Sequence, residues 1–299
     1  MKEYVFLLKE TGKMRGTSFI KKAKNRGGIL MNYVEIIKSR KSVRTFDGRE
    51  LKKEDRQALQ ELLNQSTNPF GIDIEFKFLS QKKDKLSSIV IVGAEDFVAG
   101  KCKKVPHAEE AFGYELEKFI LKAWEMGIGS VFLAGTMDRN AFEKAMVLGE
   151  NEVLPAVTPL GYPAKKPSVR ENMMRKGLKA DERFPFEELF FEEDFSKELS
   201  KDSSYAEALQ MVRLAPSATN KQPWRIVVRD KKLYFYEKKH KGYAKEGFVD
   251  IQKVDMGIAM AHFELAAEEL GIKGEWKIEN PGLEIQEDME YILTFESLT

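Results

Sequence analysis

Two stretches of the chain carry more hydrogen-bonding chemistry than a turn needs. Residues 213–228 read RLAPSATNKQPWRIVV, and residues 39–46 read SRKSVRTF. In the first, Pro216, Ser217, Asn220, Gln222 and Pro223 stand between a helical pattern and a β-branched run. The prolines stop the helix and constrain the entry to the strand. A plain turn needs one special backbone conformation, whereas this stretch strings together several short polar side chains and ends on Trp224. Such a rim suits a polar, planar ligand. In the second stretch Arg40, Lys41 and Arg44 flank Ser42. Guanidinium and hydroxyl groups together donate to phosphate oxygens, and Arg44 can aim at a further electron-rich atom; a solvated basic turn after a short helix is the alternative.

The elements that must position these residues fall into two series. The first opens with a short helix at YVEIIKSR, and Asp47-Gly48 makes a turn. LKKEDRQALQELL then has helical spacing, with Leu51, Ala58, Leu59 and Leu62 on one side. Strand-like runs IEFKFLS and SSIVIVGA lead to a long helix from Ala108 to Met126 that stops at Gly127, and SVFLAG and AVTPLGYP complete the series as strands. The second series repeats the order. A helix around ALQMVRL precedes the 213–228 loop, strands follow at WRIVVRD and KLYFYEK, and a long helix from Asp255 to Leu270 stops at Gly271. Aligning the two glycine stops pairs Gly113 with Gly257, Phe119 with Phe263 and Ala123 with Ala267, and the ALQ of 58–60 recurs at 208–210. The expected fold class is therefore α+β. Two related halves, 31–166 and 204–299, each a mainly antiparallel sheet with packed helices, form an intrachain pseudo-dimer. The link, 167–203, contains DERFPFEELFFEEDF; five phenylalanines among acids predict a segment that wraps against a folded half rather than a free tether.

Composition narrows the function. The chain has 299 residues, 42% of them hydrophobic, which suffices for a packed core. The 49 Lys and Arg nearly balance 48 Asp and Glu, so nothing global argues for nucleic acid or an anionic membrane surface. One cysteine, Cys102, excludes an internal disulfide framework and fits a reducing cytoplasm. His107, His240 and His262 lie far apart in no metal-binding spacing, so no metal is expected. Apolar stretches fall short of a membrane span, which predicts a soluble, cytoplasmic protein. Residues 1–30 differ, with eight Lys or Arg against Glu3 and Glu10. They read either as a basic arm or as untranslated sequence, since Arg26-Gly27-Gly28 can be encoded by a purine-rich ribosome-binding site just before Met31. The second reading, with Met31 as the start, is preferred.

SRKSVRTF near the start, APSATNKQPW after a helix and a long helix ending MGIGSVFLAG together resemble the nitroreductase family of FMN-dependent flavoproteins, over most of residues 31–299. In that family two subunits form each flavin site, one giving the basic segment and the other the PSxxNxQPW loop. Here the basic segment belongs to the first half and the loop to the second. The first half reads LLNQSTNPFG where a loop belongs, and the second reads DFSKELSKDSSYAEA where a basic motif belongs. The resemblance thus implies a single-chain tandem member, monomeric, with one intact flavin site and one degenerate position near Asn64 to Phe70.

It further implies that Arg40, Lys41 and Ser42 hold the phosphate and ribityl chain, and that Arg44 lies near the flavin pyrimidine. Pro216, Ser217 and Ala218 line the ring, while Asn220 and Gln222 fix the loop or reach the flavin edge. Gly127 and Gly129 allow tight passage, and the amides of Ala134 and Gly135 face the flavin N5 side. Lys165 and Lys166 add phosphate charge or form a solvated loop, and the lid is placed near Phe112 and Tyr114. The implied activity is an FMN-dependent oxidoreductase. It takes hydride from NADH or NADPH through flavin N5 and reduces small, flat acceptors such as nitroaromatics or quinones, with no catalytic protein nucleophile. The alternative is an FMN-binding protein without turnover, a carrier or sensor. A nucleic-acid binder using residues 1–30 and KKHKGYAK lacks the expected fingerprints.

Overall fold

The computed structural model describes residues 31–243 and 249–298. The expectations for residues 1–30 lie outside them. Helix α1, Tyr33–Ser39, starts in a capping box: Asn32 accepts from the Glu35 amide, and the Glu35 side chain accepts from the Asn32 amide. Helix α2, Lys53–Asn64, follows, burying Leu59 and Leu63. Strands β1, Glu75–Ser80, and β2, Asp96–Lys103, pair antiparallel. Helix α3, Ala108–Glu125, precedes a short α4, Arg139–Ala145. Strands β3, Glu152–Val153, and β4, Val157–Leu160, both pair antiparallel with β2 and complete a four-stranded sheet.

The second series begins with α5, Val169–Gly177, and β5, Phe190–Glu192, both within the segment read as a link. Helix α6, Ala206–Arg213, is followed by β6, Trp224–Arg229, and β7, Lys232–Lys238. Helix α7, Ile251–Glu269, and strands β8, Gly274–Lys277, and β9, Met289–Ser297, close the chain. The second sheet runs β5-β6-β7-β9-β8, antiparallel except for the parallel β5–β6 pair. The fold is α+β with two largely antiparallel sheets, as the patterning predicts.

The phenylalanine-rich segment earns its order by burial. Phe190 pairs with Ile226 and is fully buried, Phe186 packs edge-on against it, and Phe195 packs against Tyr236. Residues 87–94, expected as a strand, form turns and isolated bridges instead, with Ile89 and Val92 exposed. Both edges of β2 are already taken, by β1 on one side and by β3 and β4 on the other, and this run makes only single bridges, Val92 with Thr45 and Ser88 with Met137. SVFLAG likewise runs beside β4 with only a bridge at Leu133 and Val157; Pro159 withholds one ladder donor there. Strand β2 itself, and the long β9, go unnoticed in the sequence pattern.

Where α3 meets α7, backbone meets backbone. A Cβ added at Gly113 would overlap the Val254 carbonyl, and one added at Gly257 would overlap the Glu110 carbonyl. One offset along the chain separates Gly113 from Gly257 and Glu110 from Val254, so the two contacts are reciprocal. Phe112, Leu116, Phe119 and Ile120 of α3 join Ile258, Phe263 and Ala266 of α7 in one buried cluster. Since the obstacles are backbone atoms, Gly113→Ala or Gly257→Ala is expected to cost about 2–3 kcal/mol of stability by overpacking. The double variant should cost less than the two singles combined, because the first methyl already parts the helices. Urea unfolding of the four forms measures this; additive losses, or none, would contradict the close crossing.

Candidate functional site

The basic segment leaves α1 directly. Arg40 is the C-cap residue of α1, and its side chain is only 7% exposed. Its Nε lies 4.0 Å from the Glu117 carboxylate of α3. Val43, next along, donates to the Ser130 carbonyl at 2.9 Å and packs where a Cβ on Gly129 would sit. This contact brings the MGIGSVFLAG stretch beside the basic segment. Ala134, half-buried, and Gly135, exposed, lie a few residues farther along that stretch. Lys41 is exposed, Ser42 is half-buried, and Lys165 and Lys166 are exposed in their loop.

Thr45 ties the segment to α5. Its hydroxyl donates to Glu171 at 2.7 Å and accepts from the Ser168 amide at 3.0 Å, and Ser168 caps α5 through the Glu171 amide. Helix α5 carries Arg175. The chain then turns through Lys179, whose φ is 49°, to Arg183. There Arg183 Nη1 donates to the carbonyls of Ala180 and Glu182 and to Asn220 Oδ1, while Nη2 donates to the Leu214 carbonyl. Arg213 donates to the Phe184 carbonyl at 2.7 Å.

The loop after α6 is fixed from within. Gln222 donates its amide N–H to Ser217 Oγ at 2.8 Å and accepts from the Phe184 amide at 2.9 Å. Asn220 Nδ2 donates to the carbonyls of Lys179 and Glu182 at 2.8 and 3.0 Å. Both side-chain amides therefore clamp residues 179–184 to the loop. The Ala218 amide donates to Asp255 of α7 at 3.0 Å, and burial pushes that carboxyl well above its usual range. Thr219, Asn220 and Gln222 have φ of 46°, 60° and 49°. Asn accepts this left-handed region readily, but a β-branched Thr does not, so the bonds hold the loop in a strained, preset shape. Trp224 is fully buried with no partner for Nε1, so it anchors the strand and contributes no rim.

Arg40, Arg44, Arg175, Arg183 and Arg213 thus converge. Burial is the first cause lowering the Arg183 pKa, to about 10, and the neighbouring charges of Arg40, Arg213 and Arg175 lower it further. Burial also lowers Arg40 and Arg44, and Arg175 repels both. Three acids offset them in part: Asp181 pairs with Arg175, Glu117 lies 4.0 Å from Arg40 while bonded to His262, and Glu171 acts on Arg44 while accepting from Thr45. The Nε atoms of Arg44 and Arg183 are buried without a hydrogen-bond partner. Guanidinium groups so arranged await an anion with several oxygens, such as a phosphate.

The sequence reading singled out Arg40 and Arg44 but missed Arg175, Arg183 and Arg213. Three guanidiniums across α5, the link and the end of α6 carry no local motif. Asp255 was missed for the same reason. Phe112 and Tyr114, near which the lid was placed, lie buried; Phe112 packs on Phe76, and Tyr114 donates to Glu264. At Asn64 to Phe70 a cavity of about 440 Å³ opens instead. Asn64, Ser66, Asn68, Asp73, Glu75 and Glu115 line it, and among the described residues no Lys or Arg does. Glu115 accepts from Ser66 and Asn68, while burial raises its pKa. Such a surface repels phosphate. Cys102 is buried, its thiol pushed up to about 12 chiefly by burial, and is no nucleophile.

The family described as "Putative TM nitroreductase" matches residues 32–267. Among solved structures, a Thermotoga maritima MSB8 protein described as a putative nitroreductase aligns over 94% of this chain and 98% of its own, at 20% identity and TM-score 0.59. An FMN-dependent nitroreductase from Clostridium difficile R20291 aligns over 47% of this chain and 94% of its own, at 17% identity and TM-score 0.38. Iodotyrosine deiodinase bound to FMN and 3-iodo-L-tyrosine aligns over 46% and 91%, at 18% and 0.38. No curated protein matches the sequence significantly.

The excess of arginines over nearby carboxylates makes a direct prediction. Inorganic phosphate should stabilise the flavin-free protein by about 2.7 kcal/mol at a hundredfold excess over Kd, raising its Tm above that in sodium chloride at matched ionic strength. Arg40→Ala and Arg175→Ala should each shrink that gain in differential scanning fluorimetry. Equal Tm in the two salts would show that the cluster binds no phosphate.

Proposed function

The chain belongs to this nitroreductase family, and from that premise we propose that it is an FMN-dependent NAD(P)H oxidoreductase acting on small, flat, electrophilic acceptors. One observation carries the reading: the buried guanidinium cluster, with orphaned Nε atoms on Arg44 and Arg183, beside a strained loop with the sequence PSATNKQPW. A phosphomonoester fits it in charge and in the number of acceptor oxygens. FMN, when bound, supplies the two-electron chemistry, taking hydride from a reduced nicotinamide and passing it to an acceptor such as a nitroaromatic or quinone.

The residues of the chain bind, orient and polarise. Arg40, Lys41 and Ser42, joined by Arg175 and Arg183, hold the phosphate end. Pro216, Ser217 and Ala218 line the flavin, with Asn220 and Gln222 as internal struts and Asp255 fixing the Ala218 amide. The Ala134 and Gly135 amides serve the opposite edge. Arg44 gives the cation that favours negative charge on the reduced ring. His107, His240 and His262 have no chemical step to perform.

The assembly belongs to the same proposal. Two related halves, 31–166 and 204–299, joined by 167–203, meet across α3 and α7 as an intrachain pseudo-dimer, so a monomer suffices. The reciprocal contacts of Gly113 with Val254 and Gly257 with Glu110 support this, since a two-fold relation makes each partner contact the counterpart of its own neighbour. The acidic cavity at Asn64 to Phe70 is then the degenerate counterpart. No helix among the described residues is long and apolar enough to cross a membrane, and the protein is proposed to work in the cytoplasm.

Purified protein should show flavin absorption and oxidise NADH or NADPH when a quinone or nitroaromatic is added. A colourless protein that takes up no FMN would overturn the reading, and a yellow but idle one would make it a flavin carrier. Arg44→Ala should lower the flavin reduction potential and slow flavin reduction about tenfold, equivalent to about 1.4 kcal/mol, with a smaller loss of FMN affinity. Arg40→Ala should instead weaken FMN binding first, with a smaller effect on the reduction rate. Stopped-flow reduction at saturating FMN separates the two; an unchanged rate in Arg44→Ala would remove Arg44 from the ring.

A further inference from the structure

Behind Arg40 lies a polar pair that the proposed chemistry does not use. Glu117 of α3 and His262 of α7 are both fully buried, with Nε2 of the imidazole 2.8 Å from Glu117 Oε1. On the other side of the ring, Nδ1 lies 2.9 Å from the carbonyl of Met211, in the last turn of α6. Glu117 Oε2 is buried with no partner, and Arg40 Nε is 4.0 Å from Oε1.

Proton counting constrains this arrangement. A carbonyl only accepts, so Nδ1 carries a hydrogen and donates to Met211. A contact of 2.8 Å between Nε2 and a carboxyl oxygen then needs one more proton, because two facing lone pairs would repel. Either an imidazolium donates to a carboxylate, or a carboxylic acid donates to a neutral imidazole. In both forms the pair is neutral as a whole. The charge of Glu117 is thus largely matched by the shared proton and offsets Arg40 only in part across 4.0 Å. Were the proton absent, a bare buried carboxylate would turn to the nearest cation, which is Arg40.

We propose that Glu117 and His262 are positioning residues of the phosphate site. Their shared proton keeps the Arg40 guanidinium available to an anion and ties it, through Met211, to the root of the Pro216–Ala218 loop. The pair joins the two parts of the site across the α3–α7 contact. This rests on the reading of the arginine cluster as the phosphate end of an FMN site.

The test is the FMN dissociation constant of flavin-free protein, read by quenching of flavin fluorescence, with near-ultraviolet circular dichroism to confirm packing. Glu117→Gln keeps a donor to neutral imidazole and should bind FMN within about threefold of the parent, whereas Glu117→Ala should weaken it about tenfold or more, as loss of a hydrogen bond to a charged group does. His262→Leu strands the carboxylate and should weaken binding similarly. Adding Glu117→Gln to His262→Leu should restore much of the affinity, since an amide cannot neutralise Arg40. A purely structural pair would make that double variant worse than either single, and such a result, or unchanged binding in Glu117→Ala, overturns the proposal. If His262→Leu does not fold, the imidazole 15N spectrum of the parent decides. A hydrogen on Nδ1 with a proton shared at Nε2 supports the pair; an unprotonated Nδ1 refutes it. Failure of the parent itself to bind FMN would instead strike the functional reading.

Discussion

The contact on which the structure depends is the crossing of α3 and α7, where Gly113 and Gly257 leave no side chain between two backbones. Burial of both helices gathers the largest apolar cluster, and that cluster reaches into both sheets. The same closeness aligns polar groups that would otherwise be stranded. Glu117 meets His262, Tyr114 and Lys118 meet Glu264, and Glu264 also accepts from Trp276. Buried charges survive there because each has a partner set by the helix spacing. A wider crossing would leave several carboxylates unpaired at once.

The arginine cluster is the opposite case. Arg40, Arg44, Arg175, Arg183 and Arg213 repel one another in a partly dehydrated place, with too few free carboxylates to balance them. Only rigid neighbours keep such groups together. The carbonyls around Arg183, the Thr45 link to α5 and the strained 219–222 loop supply that rigidity. Under the proposed reading, stability given up in the protein alone would return on binding an anion, a preorganisation of charge as well as shape. The cavity at Asn64 to Phe70 is of the opposite character, with Asp73, Glu75 and Glu115 in its lining.

What could be read from the sequence was whatever one segment expresses alone. SRKSVRTF and APSATNKQPW each show their chemistry within a few residues, and α2, α3 and α7 follow from helical spacing. The glycine match that aligned the two series marks the positions where the helices touch. Arg175 and Arg183 were hidden because their role depends on which carbonyls and charges the folded chain brings near. Residues 87–94 look like a strand by composition, but pairing depends on what the fold places alongside, and there they meet only single bridges to Thr45 and Met137. Strand β5 was obscured because it is only three residues long and takes its order from parallel pairing with β6, which no local pattern announces.

The central claim is a single flavin site per chain, built from the first-half basic segment and the second-half loop. Native mass spectrometry of the FMN-loaded protein tests it most directly, reporting flavins per chain and chains per particle together. One FMN on a monomer is expected. Two FMN per chain, or a flavin retained only by a dimer, would contradict it.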